Sequence, residues 1–360
     1  MKKESFQNKF WLTVLMIHMG LIINLFPQHH SGLISTIAFG SCSDEDKDQP
    51  ILNLIVKHNP DLFIYLGDNV YADTKDTNEL KRAYHKLASK TEFKNLKQNT
   101  RIIATWDDHD YGWNDIGKHY ELKNDSKKIF LDFFNITESS RAYSSEGIYD
   151  SYYFSDDKHT LQIILLDERT FRSDLKKYNG EFKDDERFFY QLDYTPHTEK
   201  DSTLLGEEQW KWLEKELLKP ADIRIIASGT QFAISYNGYE AWANFPHEQK
   251  RMLDLIKKTK ANGVLFISGD VHYAEISRIL EKDVYPIYDI TSSGLTQTWL
   301  FATPNDNRIE GPVMDNNFGL ITINWEKINP EIKMEIWDIR DNQRIEYSIK
   351  LSELSFKNMK

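Results

Sequence analysis

The chain has 360 residues, 40% of them hydrophobic and 13% aromatic, which is enough for a substantial core and excludes a low-complexity chain. Its 56 acidic and 45 basic residues give a net charge of −11 without a dense Lys/Arg stripe, which argues against binding nucleic-acid backbones through bulk charge. A single cysteine, Cys42, excludes an internal disulfide.

The chain opens on Lys2, Lys3 and Lys9, followed by an apolar stretch from Phe10 to Phe26, the pattern of an export leader. Residues 1–30 are read as a signal peptide or, left uncleaved, as an N-terminal membrane anchor, since no small-residue cleavage site follows the apolar stretch. Residues 31–360 then read as one domain, because no linker, repeat or low-complexity tract divides them. Export places the protein in the periplasm, the medium or at a membrane surface, where a solitary thiol is expected to be buried or ligated.

Beyond the leader, β-rich runs alternate with helical patterns, as in a layered α/β domain. The expected strands are Ile34 to Phe39, Leu62 to Leu66, Arg101 to Thr105, Leu161 to Leu166, Asp222 to Ala227 and Val264 to Ile267. Several are apolar throughout, as strands covered on both faces should be. Pro50 suits the first turn of a helix carrying Ile51, Leu54 and Ile55, and Leu80, Tyr84 and Leu87 form a second stripe. A third helix spans Glu207 to Leu218, with Trp210, Leu213 and Leu217 on one face. The polar segment Arg172 to Thr203 reads as a rim over a site or as a solvated excursion. From Gly319 onward strict alternation, with turns at Asn329-Pro330 and Asp341-Asn342, predicts an antiparallel meander completing a sheet of the same domain.

Four expected strands run directly into residues of metal-ligand type. They end at Gly40-Ser41-Cys42, at Gly67-Asp68-Asn69-Val70-Tyr71, at Trp106-Asp107-Asp108-His109-Asp110 and at Ser268-Gly269-Asp270-Val271-His272. In an open α/β sheet the carboxyl ends of the strands line the binding crevice, so these clusters should converge. Asp68, Asp108 and Asp270 brought together without cations would repel one another, and a pair of metal ions resolves that conflict. Each residue alone has a plainer reading: Asp68 in a turn, Cys42 as a small core residue, Tyr71 as a core aromatic, and Asp-Asp-His-Asp as a helix cap.

Taken in this order, the four segments resemble the alkaline phosphatase D (PhoD-like) family of the calcineurin-like metallophosphoesterases. That resemblance implies a four-layer αββα sandwich and hydrolysis of phosphate mono- or diesters by a hydroxide activated between two metals. It implies Cys42, Asp68, Tyr71, Asp108, Asp270 and His272 as metal ligands, with Asp68 bridging and Asp107 as the alternative to Asp108. The implied metals are Fe3+ and Ca2+, with other divalent ions as alternatives; thiolate, phenolate and imidazole suit ferric iron, and the carboxylates suit a hard cation. His109 takes the role of leaving-group acid. Arg169, in Leu165-Leu166-Asp167-Glu168-Arg169, is read either as a phosphate contact or as a structural partner of Asp167. Gln231 is a further residue that could line the site. Two rivals stay open: a phosphodiesterase or phospholipase-like hydrolase of cell-envelope phosphodiesters, and a non-catalytic secreted protein on the same scaffold.

Overall fold

The computed structural model describes residues 28–181 and 191–358. The apolar stretch from Phe10 to Phe26 lies outside the described residues. Among these residues no helix is long and apolar enough to cross a membrane.

The first half runs β1 (Gln28–Ser31), β2 (Thr36–Gly40), α1 (Pro50–Lys57), β3 (Leu62–Leu66), α2 (Thr77–Ser89), α3 (Thr91–Asn99) and β4 (Arg101–Thr105). It continues through α4 (Asp108–Tyr111), α5 (Lys123–Phe133), α6 (Arg141–Ser144), β5 (Asp150–Ser155) and β6 (Thr160–Leu165). The second half comprises α7 (Gly206–Leu217), β7 (Ile223–Ser228), α8 (Pro246–Thr259), β8 (Val264–Ser268), β9 (Ala274–Ile279) and β10 (Ile287–Ser292). It closes with β11 (Arg308–Val313), β12 (Asn317–Asn324), β13 (Glu331–Asp338) and β14 (Gln343–Lys350).

These strands form two mixed sheets. One has the order β1-β5-β6-β7-β8-β10-β9-β11 and the other β14-β13-β12-β2-β3-β4. In the smaller sheet β2, β3 and β4 are parallel, and the C-terminal meander joins antiparallel through β12 against β2. The expected meander therefore completes the sheet that carries three of the four ligand-bearing strand ends.

Residue periodicity in β3 explains the layering. All five residues of Leu-Phe-Ile-Tyr-Leu are buried, and they divide by parity. Leu62, Ile64 and Leu66 join the core shared with Ile163, Leu165, Ile225 and Ile321, between the sheets. Phe63 and Tyr65 join the second core with Leu80, Tyr84, Leu96 and Phe130, under helices α2, α3 and α5. On the far side Trp210, Leu213 and Ile256, from α7 and α8, belong to the first core. Side chains two apart along a strand share a face, so a strand apolar at every position must be covered on both. The result is helix, sheet, sheet, helix.

The helices start where local chemistry allows. Pro50 and Pro246 occupy first turns, where the missing N–H costs nothing, and Asp76 accepts a hydrogen bond from Asn78 N at 2.9 Å to cap α2. Five strands were not anticipated: β1, whose Gln28–Ser31 overlaps the end of the stretch read as a leader, and β5, β9, β10 and β11. The patterns of the last four are irregular because Asp150, Glu275 and Asp289 are buried in the sheet with hydrogen-bond partners, and β11 contains Gly311-Pro312 at an edge.

Candidate metal centre

The four strand ends meet at one place, and glycines let them do so. Gly67 sits at φ +106°, and a Cβ there would lie 2.4 Å from Asp107 Cβ, so only glycine lets the ends of β3 and β4 touch. The following residue, Asp68, lies in the left-handed region at φ 48°, and so do Cys42 (62°), Asp270 (77°) and His272 (52°). This conformation is costly for residues other than glycine. Four of the six expected ligands adopt it, which marks a backbone arranged around their side chains.

The donor atoms fall into two groups that share Asp68. On one side Cys42 Sγ lies 3.4 Å from Asp68 Oδ2, and the Tyr71 hydroxyl is 3.1 Å from both Asp68 Oδ2 and His272 Nε2. Cys42 Sγ is also 3.6 Å from the carbonyl oxygen of Asp270. On the other side Asp107, Asp108 and Asp270 present carboxylate oxygens within 4.8 Å of one another, and Asp68 stands within the same distance of Asp108 and His109. Asp107 Oδ2 and Asp108 Oδ1 are buried and have no hydrogen-bond partner. Buried orphaned oxygens are expensive unless something else satisfies them. A sulfur, phenol, imidazole and carboxylate set beside an all-carboxylate set could hold cations of both kinds, with Asp68 within reach of both sets. Both Asp107 and Asp108 reach the cluster, Asp107 beside Asp270 and Asp108 beside both Asp270 and Asp68.

Electrostatics point the same way. Burial, then the neighbouring Cys42 and Asp108, raises the Asp68 carboxyl well above its usual range. Burial and like charges do the same to Asp270, and Asp107 is raised by burial despite Arg169. For Asp108 burial is outweighed by Arg169, His109 and the Asp115 N–H, which hold it at about 2. Burial pushes the Cys42 thiol up, so a thiolate there needs a cation. Burial and the nearby His109 charge lower His272 to about 4, leaving the neutral imidazole that ligation requires.

A stability consequence follows for metal-free protein. A carboxyl whose folded pKa is raised binds its proton more tightly in the folded state, so its contribution fades as pH rises above the ordinary range near about 4. Asp68, Asp107 and Asp270 act in this direction and Asp108 in the opposite one. The melting temperature of chelator-treated protein is therefore expected to fall as pH rises above about 4, while metal-reloaded protein holds steady. The same pH response in both forms would count against a cation site.

His109 lies beside this cluster. Its Nδ1 is 2.7 Å from Asp73 Oδ1, and its ring lies 4.3 Å from that of Tyr71. Burial alone would lower its pKa, but Asp68, Asp73 and Asp108 lift it to about 11. Two of those groups are expected cation ligands, so Asp73 is the partner that remains to hold the proton when cations are bound. Asp73 was not anticipated from the sequence.

Arg169 corrects an expectation. Its guanidinium does not pair with Asp167, whose carboxylate already accepts hydrogen bonds from Trp106 Nε1, Ile148 N, Arg169 N, Thr170 N and the Thr170 hydroxyl. The guanidinium is fully buried instead, with Nε 2.6 Å from Asp107 Oδ1 and Nη1 within 2.8 Å of both oxygens of Glu240. Arg172 adds a second cation to Glu240 at 3.0 Å. Arg169 thus holds the carboxylates from behind. Glu240 escaped the sequence reading, since it follows no strand. Only the need of a buried Arg-x-x-Arg pair for an anion could have pointed to it.

Gln231 is also buried, its amide donating to Glu275 at 3.1 Å and Thr291 at 3.0 Å within the sheet. The Arg172 to Thr203 segment reaches the centre through Tyr194, whose hydroxyl donates to Asp115 Oδ2 at 2.5 Å, and Asp115 N donates to Asp108 Oδ2 at 2.5 Å. Tyr194 thus brings the described part of this segment to the edge of the cluster.

The family model of PhoD-like phosphatases matches residues 37–308, which span all four strand ends. The chain belongs to the PhoD-like phosphatase family. No curated protein matches its sequence. Among solved structures this PhoD-like chain is similar to PhoD at 17% identity and a TM-score of 0.62, covering 90% of this chain and 73% of that one. It is also similar to a dimetal phosphatase from Danio rerio at 13% identity and a TM-score of 0.51, covering 89% and 100%. A third is GAP50, described as the anchor in the inner membrane complex of Plasmodium, at 15% identity and a TM-score of 0.55, covering 88% of each chain. The sandwich is the metallophosphoesterase fold.

Proposed function

We propose that this PhoD-like protein is an exported, metal-dependent phosphoesterase acting on phosphate mono- or diesters at a two-metal centre. The observation that carries the reading is the convergence of six donor residues, four of them on left-handed backbone, beside two buried carboxylate oxygens that have no hydrogen-bond partner. The fold alone would not suffice, because it is shared with a protein described as an anchor.

In this reading Cys42, Asp68, Tyr71 and His272 would hold a ferric ion, and Asp68, Asp108 and Asp270 a calcium ion. Such a pair, when bound, makes hydroxide available near neutral pH and offsets charge developing on the phosphoryl oxygens. The chain's own residues supply the rest. His109, protonated and fixed by Asp73, gives its proton to the departing alcohol oxygen. Arg169 fixes Asp107 and stands 3.7 Å from Asp108, keeping the carboxylate wall in register.

Two experiments test this. The Cys42→Ala and His109→Ala proteins are expected to lose at least about a hundredfold in turnover of p-nitrophenyl phosphate or bis-p-nitrophenyl phosphate, with His109→Ala retaining its metals. Near-normal turnover in both variants sinks the reading, and the preferred ester separates monoesterase from diesterase. Asp73→Asn removes the group that holds the His109 proton, so the alkaline limb of the pH–rate profile is expected to move down by roughly 1 pH unit. An unmoved limb would assign that limb to another group. Export through the leader is tested by fractionation of the native cells together with N-terminal sequencing.

A further inference from the structure

Beside the ligand His272, the connection between β10 and β11 carries an aromatic ledge. Trp299 N donates to the carbonyl oxygen of His272 at 3.2 Å, and its indole meets the His272 ring edge-on at 5.4 Å. Behind it Phe301 stacks at 5.9 Å with an interplanar angle of 28°, and Tyr239 packs at 5.0 Å. Trp299 and Phe301 are only partly buried.

This connection is pinned at both ends. Leu295 N and Thr296 N donate to the carbonyl oxygens of Ser41 and Cys42, at the strand end that supplies the thiol. On the far side the Thr303 hydroxyl is 2.8 Å from that of Tyr273, and Asn305 Nδ2 donates to Glu275 at 2.6 Å. The indole is therefore held in a fixed position next to the cluster, with part of its surface open and aromatic rings bracing its back. Folding gains little from leaving a tryptophan partly open beside a polar centre, whereas a flat ring stacking there gains contact at low entropic cost.

We propose that Trp299, backed by Phe301 and Tyr239, forms a subsite that stacks a flat aromatic ring on the ester's non-leaving group, so that the substrates are aryl or nucleoside phosphodiesters. The proposal rests on the phosphoesterase reading above and sharpens it to a substrate class. Trp299 is a specificity residue: it neither ligates a metal nor moves a proton.

The test uses three phosphodiesters with a common p-nitrophenol leaving group, whose second substituent is methyl, phenyl or thymidine. The phenyl and thymidine esters are expected to exceed the methyl ester in kcat/KM by about tenfold, chiefly through KM. Trp299→Ala should bring all three within roughly twofold while leaving kcat for the methyl ester and the metal content unchanged, and Trp299→Phe should restore most of the preference. The better of the two ring-bearing esters distinguishes a nucleoside from a simple aryl substituent. Equal rates for the three esters in the wild type, or a preference that survives Trp299→Ala, overturns the proposal. Binding of phenylphosphonate against methylphosphonate to metal-loaded protein gives a second reading that needs no turnover. Absence of hydrolysis with tighter phenylphosphonate binding lost in Trp299→Ala would refute the phosphoesterase reading and keep the subsite. Equal binding of the two phosphonates would refute the subsite.

Discussion

Asp68→Asn is expected to reduce phosphoester turnover by at least about a thousandfold while leaving metal-free protein no less stable than the wild type. Asparagine is the informative replacement because it tolerates the left-handed backbone at φ 48° and preserves the shape of the side chain. What it removes is the negative charge shared by the two donor groups, so both ions should bind weakly. In the metal-free protein that charge is a burden: burial and the neighbouring Cys42 and Asp108 already disfavour its ionised form. Removing it should therefore raise or maintain the melting temperature in chelator, even as turnover disappears. Opposite signs on the two measurements distinguish a metal bridge from a structural turn, since loss of a mere turn residue would lower stability and leave turnover largely intact. The measurements are a thermal melt in chelator and a rate assay after reloading with iron and calcium.

Arg169→Met is expected to destabilise the protein by about 3–5 kcal/mol, because it strips the counter-charge from buried Asp107 and Glu240. Arg169→Lys should recover only part of this, since one ammonium cannot reach both carboxylates as the planar guanidinium does. Urea titration gives the stability of each variant. If Arg169 instead contacted phosphate, these changes would appear as a higher KM with unfolding little affected, and that outcome would remove the positioning role assigned here.

Where the chemistry lies at strand ends, the sequence was highly legible. The strands Leu62 to Leu66 and Arg101 to Thr105 are found over those same residues, and the clusters that follow them meet as expected. Apolar runs have few ways to be buried, and a strand apolar on both faces dictates a layer on each side. Legibility failed where partners are distant in sequence and carry no periodic signal. Asp73 meets His109 from the loop after β3, Glu240 meets Arg169 across 71 residues, and Trp299 reaches His272 from the long β10–β11 connection. None of these pairings follows from spacing. For Arg169 the alternative of an ion pair with Asp167 fails, because the fold saturates Asp167 with five donors, one of them Arg169's own backbone N–H, and sends the guanidinium to Asp107 and Glu240. Burial hid β9 and β10 in the same way, since Glu275 and Asp289 look like solvent-facing residues until their partners Arg308, Ser268 and the N–H groups of Phe232 and Ala233 are known.

The central claim is that these strand ends form a two-metal hydrolytic centre, and elemental analysis by mass spectrometry tests it most directly. Protein isolated from its native compartment without chelator should carry about two ions per chain, iron among them, and should lose both the ions and the hydrolysis of bis-p-nitrophenyl phosphate on chelation. Reloading should restore the two together. Hydrolysis at an undiminished rate by protein holding less than about a tenth of an ion per chain would contradict the account.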